Sequence, residues 1–247
     1  MPTTVVWFRR DLRLTDNPAL LRAALRRGPV LPVYLLEWED GSEWAPGAAA
    51  RWWLGRSLEA LGAGLQAMGS RLFVLRGDPA TVLPSLAASV DADLVVWNRL
   101  YEPFSYSLDE RVEEALRGRR IDVDIFSGHL LFEPEEHVSR AGRQFVQFGA
   151  FWRSCLSLPE PAAPAFAPAA LPGLPTAPLL EEAAGGLEAL RAAPPAAPAP
   201  VTTQGLAAAW RPGETGAAAR LRRFIDEALA GYERARDYPG EEGVSRL

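Results

Sequence analysis

Apolar runs alternate with helical patterns through the first 126 residues of the chain. Five short runs are predicted strands: Thr4–Phe8, Val30–Leu36, Arg71–Leu75, Leu94–Trp97 and Val123–Phe126. Helices are predicted between them: Ala19–Arg27, Ala48–Met68, Pro79–Ala88 and Leu108–Arg117. Strands separated by helices of this length pair in parallel through right-handed crossovers. The pattern predicts an α/β fold, a doubly wound, mostly parallel five-stranded sheet with helices on both faces, over residues 1–130 and extending to about 155.

Helix-start signals support these elements. A continuous apolar stripe along the second predicted helix does so too: Leu54, Leu58, Leu61, Leu65 and Met68. Asp16-Asn17-Pro18 predicts a cap for the first helix, and Asp78-Pro79 predicts the same device at the third. The second helix contains internal glycines, among them Gly62 and Gly64. Each costs up to ~1 kcal/mol relative to alanine. We therefore expect tertiary packing to hold this helix.

The composition changes after residue 155. Residues 156–205 are rich in Pro and Ala and are predicted to form an interdomain connector, with a short helix near Leu179–Arg191. Beyond them, Ala217–Arg236 is predicted to be an amphipathic helix. Its apolar face carries Leu221, Phe224, Ile225, Ala228, Leu229 and Tyr232. Such a face needs a partner, either a further domain or the first domain itself.

Charge and cysteine content exclude several function classes. The net charge of −5, with arginine as every basic residue, is not that of an independent nucleic-acid binder, although a local basic face remains open. Cys155 is the one cysteine and is predicted to be a buried, inert thiol; the two histidines disfavour a metal site. With no signal peptide and no run of ~18–20 apolar residues, we expect a cytoplasmic protein without a membrane span.

The segment Arg9-Arg10-Asp11-Leu12-Arg13 directly follows the first predicted strand. It places charges at the carboxyl edge of the sheet, where open α/β folds bind ligands, although a surface turn with an internal Arg–Asp pair also explains it. The chain has no glycine-rich phosphate loop and no Gly-x-Ser-x-Gly motif. An acidic cluster on the fourth helix is predicted to be a solvated, salt-bridged face: Asp109, Glu110, Glu113 and Glu114, alternating with Arg111 and Arg117.

Four stretches, in order along the chain, resemble the DNA photolyase/cryptochrome family. The first three are Trp7–Asn17, Trp97–Phe104 and Arg143–Trp152, the last with Ala150 where the family has proline. The fourth is the most specific. It runs from Arg211-Pro212-Gly213-Glu214 through Tyr232 and Arg236-Asp237-Tyr238-Pro239 to Gly243-Val244-Ser245-Arg246-Leu247. It resembles the start of the family's flavin domain, with Val244 where the family has threonine.

The resemblance implies a blue-light flavoprotein, a lyase that repairs DNA. In the family, reduced FAD in a helical domain donates an electron to a flipped-out pyrimidine dimer. Residues 206–247 would begin that FAD-binding domain, the rest of which is expected beyond Leu247. The chain alone would then hold no catalytic residue and be an inactive monomer. FAD contacts are implied at Tyr232, Val244, Ser245, Arg246 and Leu247, and a DNA contact at Arg236.

The resemblance also implies an antenna chromophore in the α/β domain. Its implied contacts are Arg9, Asp11, Arg51 and Glu102. A folate antenna needs an Asn-Glu pair where Phe104 and Ser105 stand, which favours a deazaflavin or a flavin. The deazaflavin type usually has an acidic residue at the position of Leu100, so a flavin nucleotide or an empty pocket also stays open. Two alternatives stay open: a cryptochrome-type receptor, and a non-catalytic small-molecule or nucleotide-binding module stable as residues 1–155.

Overall fold

Strands and helices alternate in the computed structural model, which describes residues 1–38, 45–134, 137–139, 142–174, 203–238 and 240. The strands are β1 Thr3–Phe8, β2 Val30–Leu36, β3 Phe73–Arg76, β4 Ala92–Asn98 and β5 Asp122–Phe126. The helices of this part are α1 Pro18–Leu25, α2 Ala48–Ala67, α3 Pro79–Ser89, α4 Pro103–Arg117 and α5 Phe148–Cys155. The five predicted strands are confirmed.

All five strands pair in parallel, in the order β3-β2-β1-β4-β5. The chain first winds outward from β1 to β3 and then returns to start β4 on the other side of β1. The predicted doubly wound fold is confirmed. Its topological switch point lies between the carboxyl ends of β1 and β4, where folds of this kind form their ligand crevices.

Both faces of the sheet are covered. Every residue of β1 is buried, as expected where helices pack on two sides of a parallel sheet. On one face Trp7 and Val95 pack with α3 and α4, and on the other Val6 packs with α1 and α2. Alternate residues of the central strands therefore enter opposite cores, which fixes the direction of every side chain at their ends.

Three helices begin at a proline that follows a polar residue: Asn17-Pro18, Asp78-Pro79 and Glu102-Pro103. Asn17 caps α1, since its side-chain oxygen accepts from the Leu20 amide at 3.1 Å. Asp78 precedes α3 but makes no such cap; its carboxylate accepts from Thr81 and Arg111 instead. The predicted start of α4 at Leu108 was wrong, because the helix already begins at Pro103; the preceding Glu102 makes no side-chain cap.

The first part of the predicted connector is fastened to the sheet. Leu171 is fully buried, and its amide donates to the Met68 carbonyl at 2.8 Å. The Val30 amide donates to Pro172 at 2.7 Å, so this extended stretch lies beside the start of β2. The short helix predicted near Leu179–Arg191 falls outside the described residues.

A helical segment, residues 203–238, follows the connector and is called here the C-terminal segment. It contains α6 Thr203–Ala209 and α7 Glu214–Arg223, then a π-helical turn Phe224–Ala228, a 3-10 turn Leu229–Gly231 and α8 Tyr232–Ala235. The predicted helix thus begins at Glu214 and is not α-helical throughout. Neither α5 nor α6 was predicted.

Candidate functional site at the carboxyl edge of the sheet

The loop after β1 holds a buried polar network at the switch point. Asp11 is 3% exposed, and its carboxylate accepts from the Arg9 amide at 2.9 Å and from Asn98 Nδ2 at 2.5 Å. Asn98, the last residue of β4, also donates to Asn17 Oδ1 at 2.8 Å and accepts from the Ala19 amide at 3.2 Å. One asparagine thereby joins β1, β4 and the start of α1.

Arg9 extends this network to α4. Its Nη1 lies 2.6 Å from Asp109 Oδ1, both side chains are buried, and its guanidinium carbon is 4.4 Å from the centre of the Trp7 ring. Burial raises the pKa of Asp109, and the attraction of Arg9 opposes that rise only in part. Among the described atoms, Arg9 Nε and Asp109 Oδ2 are buried without a hydrogen-bond partner. The ion pair is therefore incompletely compensated for its lost hydration.

Asp109 corrects one prediction about the acidic cluster. It does not lie on a solvated face, because the first turns of α4 point it at Arg9 beneath the sheet edge. One turn later, Glu113 pairs with Arg117 at 2.5 Å at the surface, as that prediction describes. We call Arg9, Asp11, Asn17, Asn98 and Asp109 the carboxyl-edge network.

Close packing holds the loop in one shape. Arg13 Nη2 donates to the carbonyls of Asp16 at 2.8 Å and Gly128 at 2.5 Å. A Cβ on Gly128 would lie 2.7 Å from Asn98 Cγ, so a side chain there would displace the asparagine. Asp16 has a φ of 50°, in the left-handed region that aspartate tolerates better than most residues. The loop is a rigid part of the site.

Accessible charges lie outside this buried layer. Arg10 pairs with Glu102, and their side chains are 68% and 47% exposed. A hydrogen bond from its own backbone amide lowers the pKa of Glu102, with help from Arg10 and Ser105. Tyr34, near the end of β2, is half-buried, and burial raises its pKa. The edge thus offers an exposed carboxylate and an exposed guanidinium, which follow two neighbouring strands, with the largely buried phenol of Tyr34 beside them.

The four predicted antenna residues fall into two groups. Arg9 and Asp11 are buried in the network and support the edge. Arg51 is buried in the first turn of α2, where its Nε donates to the Pro46 carbonyl at 2.7 Å. Glu102 alone among them is exposed. The contacts of Asn98 and Asp109 were missed, although a polar residue ending the buried strand Leu94–Trp97 was a usable signal for Asn98.

The residues predicted to contact FAD and DNA lie in or beyond the C-terminal segment. Tyr232 is half-buried and packs edge-on against Phe224, with ring centres 5.4 Å apart. The side chain of Arg236 is exposed, and its Nε lies 4.0 Å from Asp237 Oδ1. Val244, Ser245, Arg246 and Leu247 fall outside the described residues. The apolar face of the segment is uncovered at three positions, each about half exposed: Leu221, Ile225 and Leu229.

Other candidate chemistry lies elsewhere. Cys155 is buried, as predicted, with its Sγ 3.3 Å from Nε2 of His137, a ring surrounded by three phenylalanines. Within the described ranges, no group of three or more potential metal-binding side chains occurs, and no helix is both long and apolar enough to cross a membrane.

A polar cleft of about 480 Å³ opens at the other end of the sheet, between α1 and β5. Its arginines Arg22 and Arg26 pair with Asp124 and Asp93 at 2.7 and 2.6 Å. Because these charges already satisfy one another and lie at the amino ends of the strands, we do not assign a ligand to this cleft.

Known proteins match both the α/β domain and the C-terminal segment. The sequence model of the family described as DNA photolyase matches residues 4–169. The deoxyribodipyrimidine photo-lyase of Agrobacterium fabrum is 40% identical over 243 residues, which cover 98% of this chain and 49% of that protein. Cryptochrome-1 of Arabidopsis thaliana is 40% identical over 167 residues, covering 67% of this chain and 24% of that protein.

A solved structure agrees with the fold. The crystal structure of a class III photolyase from Agrobacterium tumefaciens superposes with a TM-score of 0.88 at 38% identity, covering all of this chain and 49% of that one. The chain therefore spans about half the length of these photolyases, and the match includes the C-terminal segment as well as the sheet.

Proposed function

Because the chain belongs to the DNA photolyase family, we propose that its α/β domain is the light-harvesting part of a deoxyribodipyrimidine photolyase. The protein it serves would split pyrimidine dimers in DNA with light and reduced FAD. The observation that carries this proposal is the 40% identity to a photolyase across 98% of the chain. The rigid carboxyl edge supports it, because a chromophore needs a fixed position for efficient transfer of excitation.

Within this proposal, the edge residues divide the work of holding an antenna chromophore. Arg9 and Asp11 position the loop, and Arg10 and Glu102 meet the polar rim of the ligand. The exposed carboxylate of Glu102, which is paired with Arg10, would accept N–H or O–H groups, while the exposed Arg10 would donate to carbonyl or phosphate oxygens. This donor and acceptor pattern fits the edge of a flat heterocycle. When bound, such a chromophore supplies absorption of near-ultraviolet or blue light.

We favour a deazaflavin or a flavin over a folate as that chromophore. The positions that would hold a folate-binding Asn-Glu pair are Phe104 and Ser105. Phe104 is 70% exposed and carries no hydrogen-bonding group, and Ser105 is buried in α4 with its hydroxyl directed to Glu102 at 3.4 Å. Neither can replace the paired amide and carboxylate that a pterin ring needs.

FAD would be held by Tyr232 and residues 244–247, and Arg236 would face the DNA backbone. An exposed arginine suits a phosphate contact, and the Gly-x-Ser sequence at positions 243–245 would supply backbone amides and a hydroxyl to an anion. Because the chain spans half the length of its photolyase relatives, we expect it to lack repair activity by itself and to retain FAD weakly.

The test has two arms. Purified chain whose antenna site is first filled with a deazaflavin and which is then mixed with FAD should retain no stoichiometric FAD after gel filtration, and should not repair an irradiated oligonucleotide. A chimera that joins residues 1–247 to the remaining half of the Agrobacterium photolyase should repair dimers in blue light. Repair by the chain alone would contradict the proposal that catalysis lies in the other half. A folded, flavin-loaded chimera whose repair gains nothing from a chromophore bound to residues 1–247 would contradict the light-harvesting assignment.

A cryptochrome-type photoreceptor is the second candidate, favoured by the 40% identity to Arabidopsis cryptochrome-1 over two-thirds of the chain. Cryptochromes share the α/β domain and signal through protein partners. An assay of the whole protein that contains this chain separates the two, because a receptor would support light-driven flavin reduction without dimer repair.

A further inference from the structure

Glu214, the first residue of α7, reaches across to the loop that follows β1. Its Oε2 accepts from the Leu14 amide at 2.8 Å, and its Oε1 accepts from the Thr15 amide at 3.0 Å and from the Thr15 hydroxyl. The residue before it, Gly213, has no side chain to cap the helix. One carboxylate is thus occupied by three donors from two neighbouring residues, an arrangement of charge-assisted bonds that fixes both distance and angle.

Two glycines allow this approach. Gly213 has a φ of 99°, and a Cβ there would lie 2.6 Å from Ala60 Cβ on α2. A Cβ on Gly64 of α2 would lie 2.5 Å from Leu14 Cδ1. Gly64, which weakens α2 as an isolated helix, therefore makes room for the residue that Glu214 holds.

An aromatic contact extends the same interface. The rings of Trp53, on α2, and Trp210, ahead of α7, meet edge-on with centres 5.7 Å apart. The Arg220 guanidinium carbon lies 4.0 Å from the centre of the Trp210 ring, and its Nη2 donates to the Ala209 carbonyl at 3.0 Å. The C-terminal segment is therefore attached to α2 and to the β1 loop at its beginning, while its far end is exposed.

The loop that receives Glu214 is the loop that carries the carboxyl-edge network. Asp11 lies three residues before Leu14, and Asp16, directly after Thr15, bonds to Ala165 through its amide at 2.7 Å. We propose that Glu214 is a positioning residue that fixes the C-terminal segment at a set distance and orientation from the carboxyl edge. Transfer of excitation depends on this distance and this orientation. The role of Glu214 in light harvesting therefore rests on the proposed function, whereas its role as an anchor does not.

The test uses the whole chain with no chromophore. Exchange of the Leu14 and Thr15 amide hydrogens is followed by NMR in wild type, Glu214→Ala, Glu214→Gln and the control Glu227→Ala. Glu227 is exposed in the next turns of the segment and pairs with Arg223 at 2.8 Å. We expect Glu214→Ala to accelerate exchange of both amides by about tenfold to a hundredfold, as loss of bonds to a charged acceptor predicts. In Glu214→Gln, one of these two amides should keep its wild-type protection from exchange. In Glu227→Ala, both should keep it.

A spectroscopic signature reports the position of the segment. Two coupled indole rings produce a circular dichroism band that disappears when one is replaced, so the difference between wild type and Trp210→Phe isolates the Trp53–Trp210 pair. Glu214→Ala should lose most of that difference and Glu227→Ala should keep it. Unchanged exchange and an unchanged band in folded Glu214→Ala would overturn the anchor. Failure of the chain to bind any antenna chromophore, with the anchor intact, would instead count against the proposed function.

Discussion

The carboxyl edge buries charged side chains, whereas the C-terminal segment exposes apolar ones. At the edge, charged side chains such as Arg9 and Asp109 are buried at the ends of the strands and bonded to one another. The exposed pair Arg10 and Glu102 lies directly outside this buried layer. In the segment, apolar side chains such as Ile225 are about half exposed and a few contacts at its beginning attach it. Hydrogen bonds among its own residues hold the edge in place, whereas the segment has an apolar face available for further packing.

The buried ion pair gives the largest expected effect on the edge. Asp109→Ala leaves the Arg9 charge buried and unpaired, and we expect it to lower the free energy of unfolding by about 3–5 kcal/mol. Chemical denaturation measures this. Glu113→Ala on the same helix removes an exposed pair and should cost at most about 1 kcal/mol. Equal losses in the two variants would contradict the contrast between buried and exposed charge.

A matched pair of leucines tests the contrast between the two regions. Leu171 is fully buried against the sheet and Leu229 is about half exposed in the segment. Leu171→Ala should cost about 2–5 kcal/mol, because it leaves a cavity in a close-packed core. Leu229→Ala should cost well under half as much. A larger loss at Leu229 would show that the segment is packed more firmly than its exposure indicates.

The pH dependence of stability gives a smaller, more specific effect. Burial raises the pKa of Asp109 above its ordinary value of 3.8, so between that value and the raised pKa the folded state holds more protons than the unfolded state. Stability must then fall as pH rises through this window. Asp109→Asn lacks this group, so the free energy of unfolding of wild type minus that of the variant should decrease with rising pH. A difference that is flat or increases would contradict the desolvation of Asp109.

The sequence predicted the fold well because its signals are local. Period and length identify β1 to β5, and the polar run after Phe8 located the edge. Partners distant in the chain were beyond such reasoning: Arg9 and Asp109 are separated by 100 positions, and Thr15 and Glu214 by 199. The acidic residues of α4 look alike in sequence. Asp109 and Glu113 lie one turn apart on the same side of α4. Only the position of Arg9, brought there by the end of β1, decides that Asp109 is buried and paired while Glu113 pairs with Arg117 at the surface.

The central claim, that the carboxyl edge binds a flat chromophore through Glu102, has one direct measurement. Titration of the chain with a deazaflavin, FMN and a folate is followed by quenching of tryptophan fluorescence, in wild type, Glu102→Gln and the α4 control Glu110→Gln. We predict one-to-one binding of the deazaflavin or FMN, weakened about tenfold or more in Glu102→Gln and unchanged in Glu110→Gln. Binding of none of the three, or equal affinity in wild type and Glu102→Gln, would contradict the account.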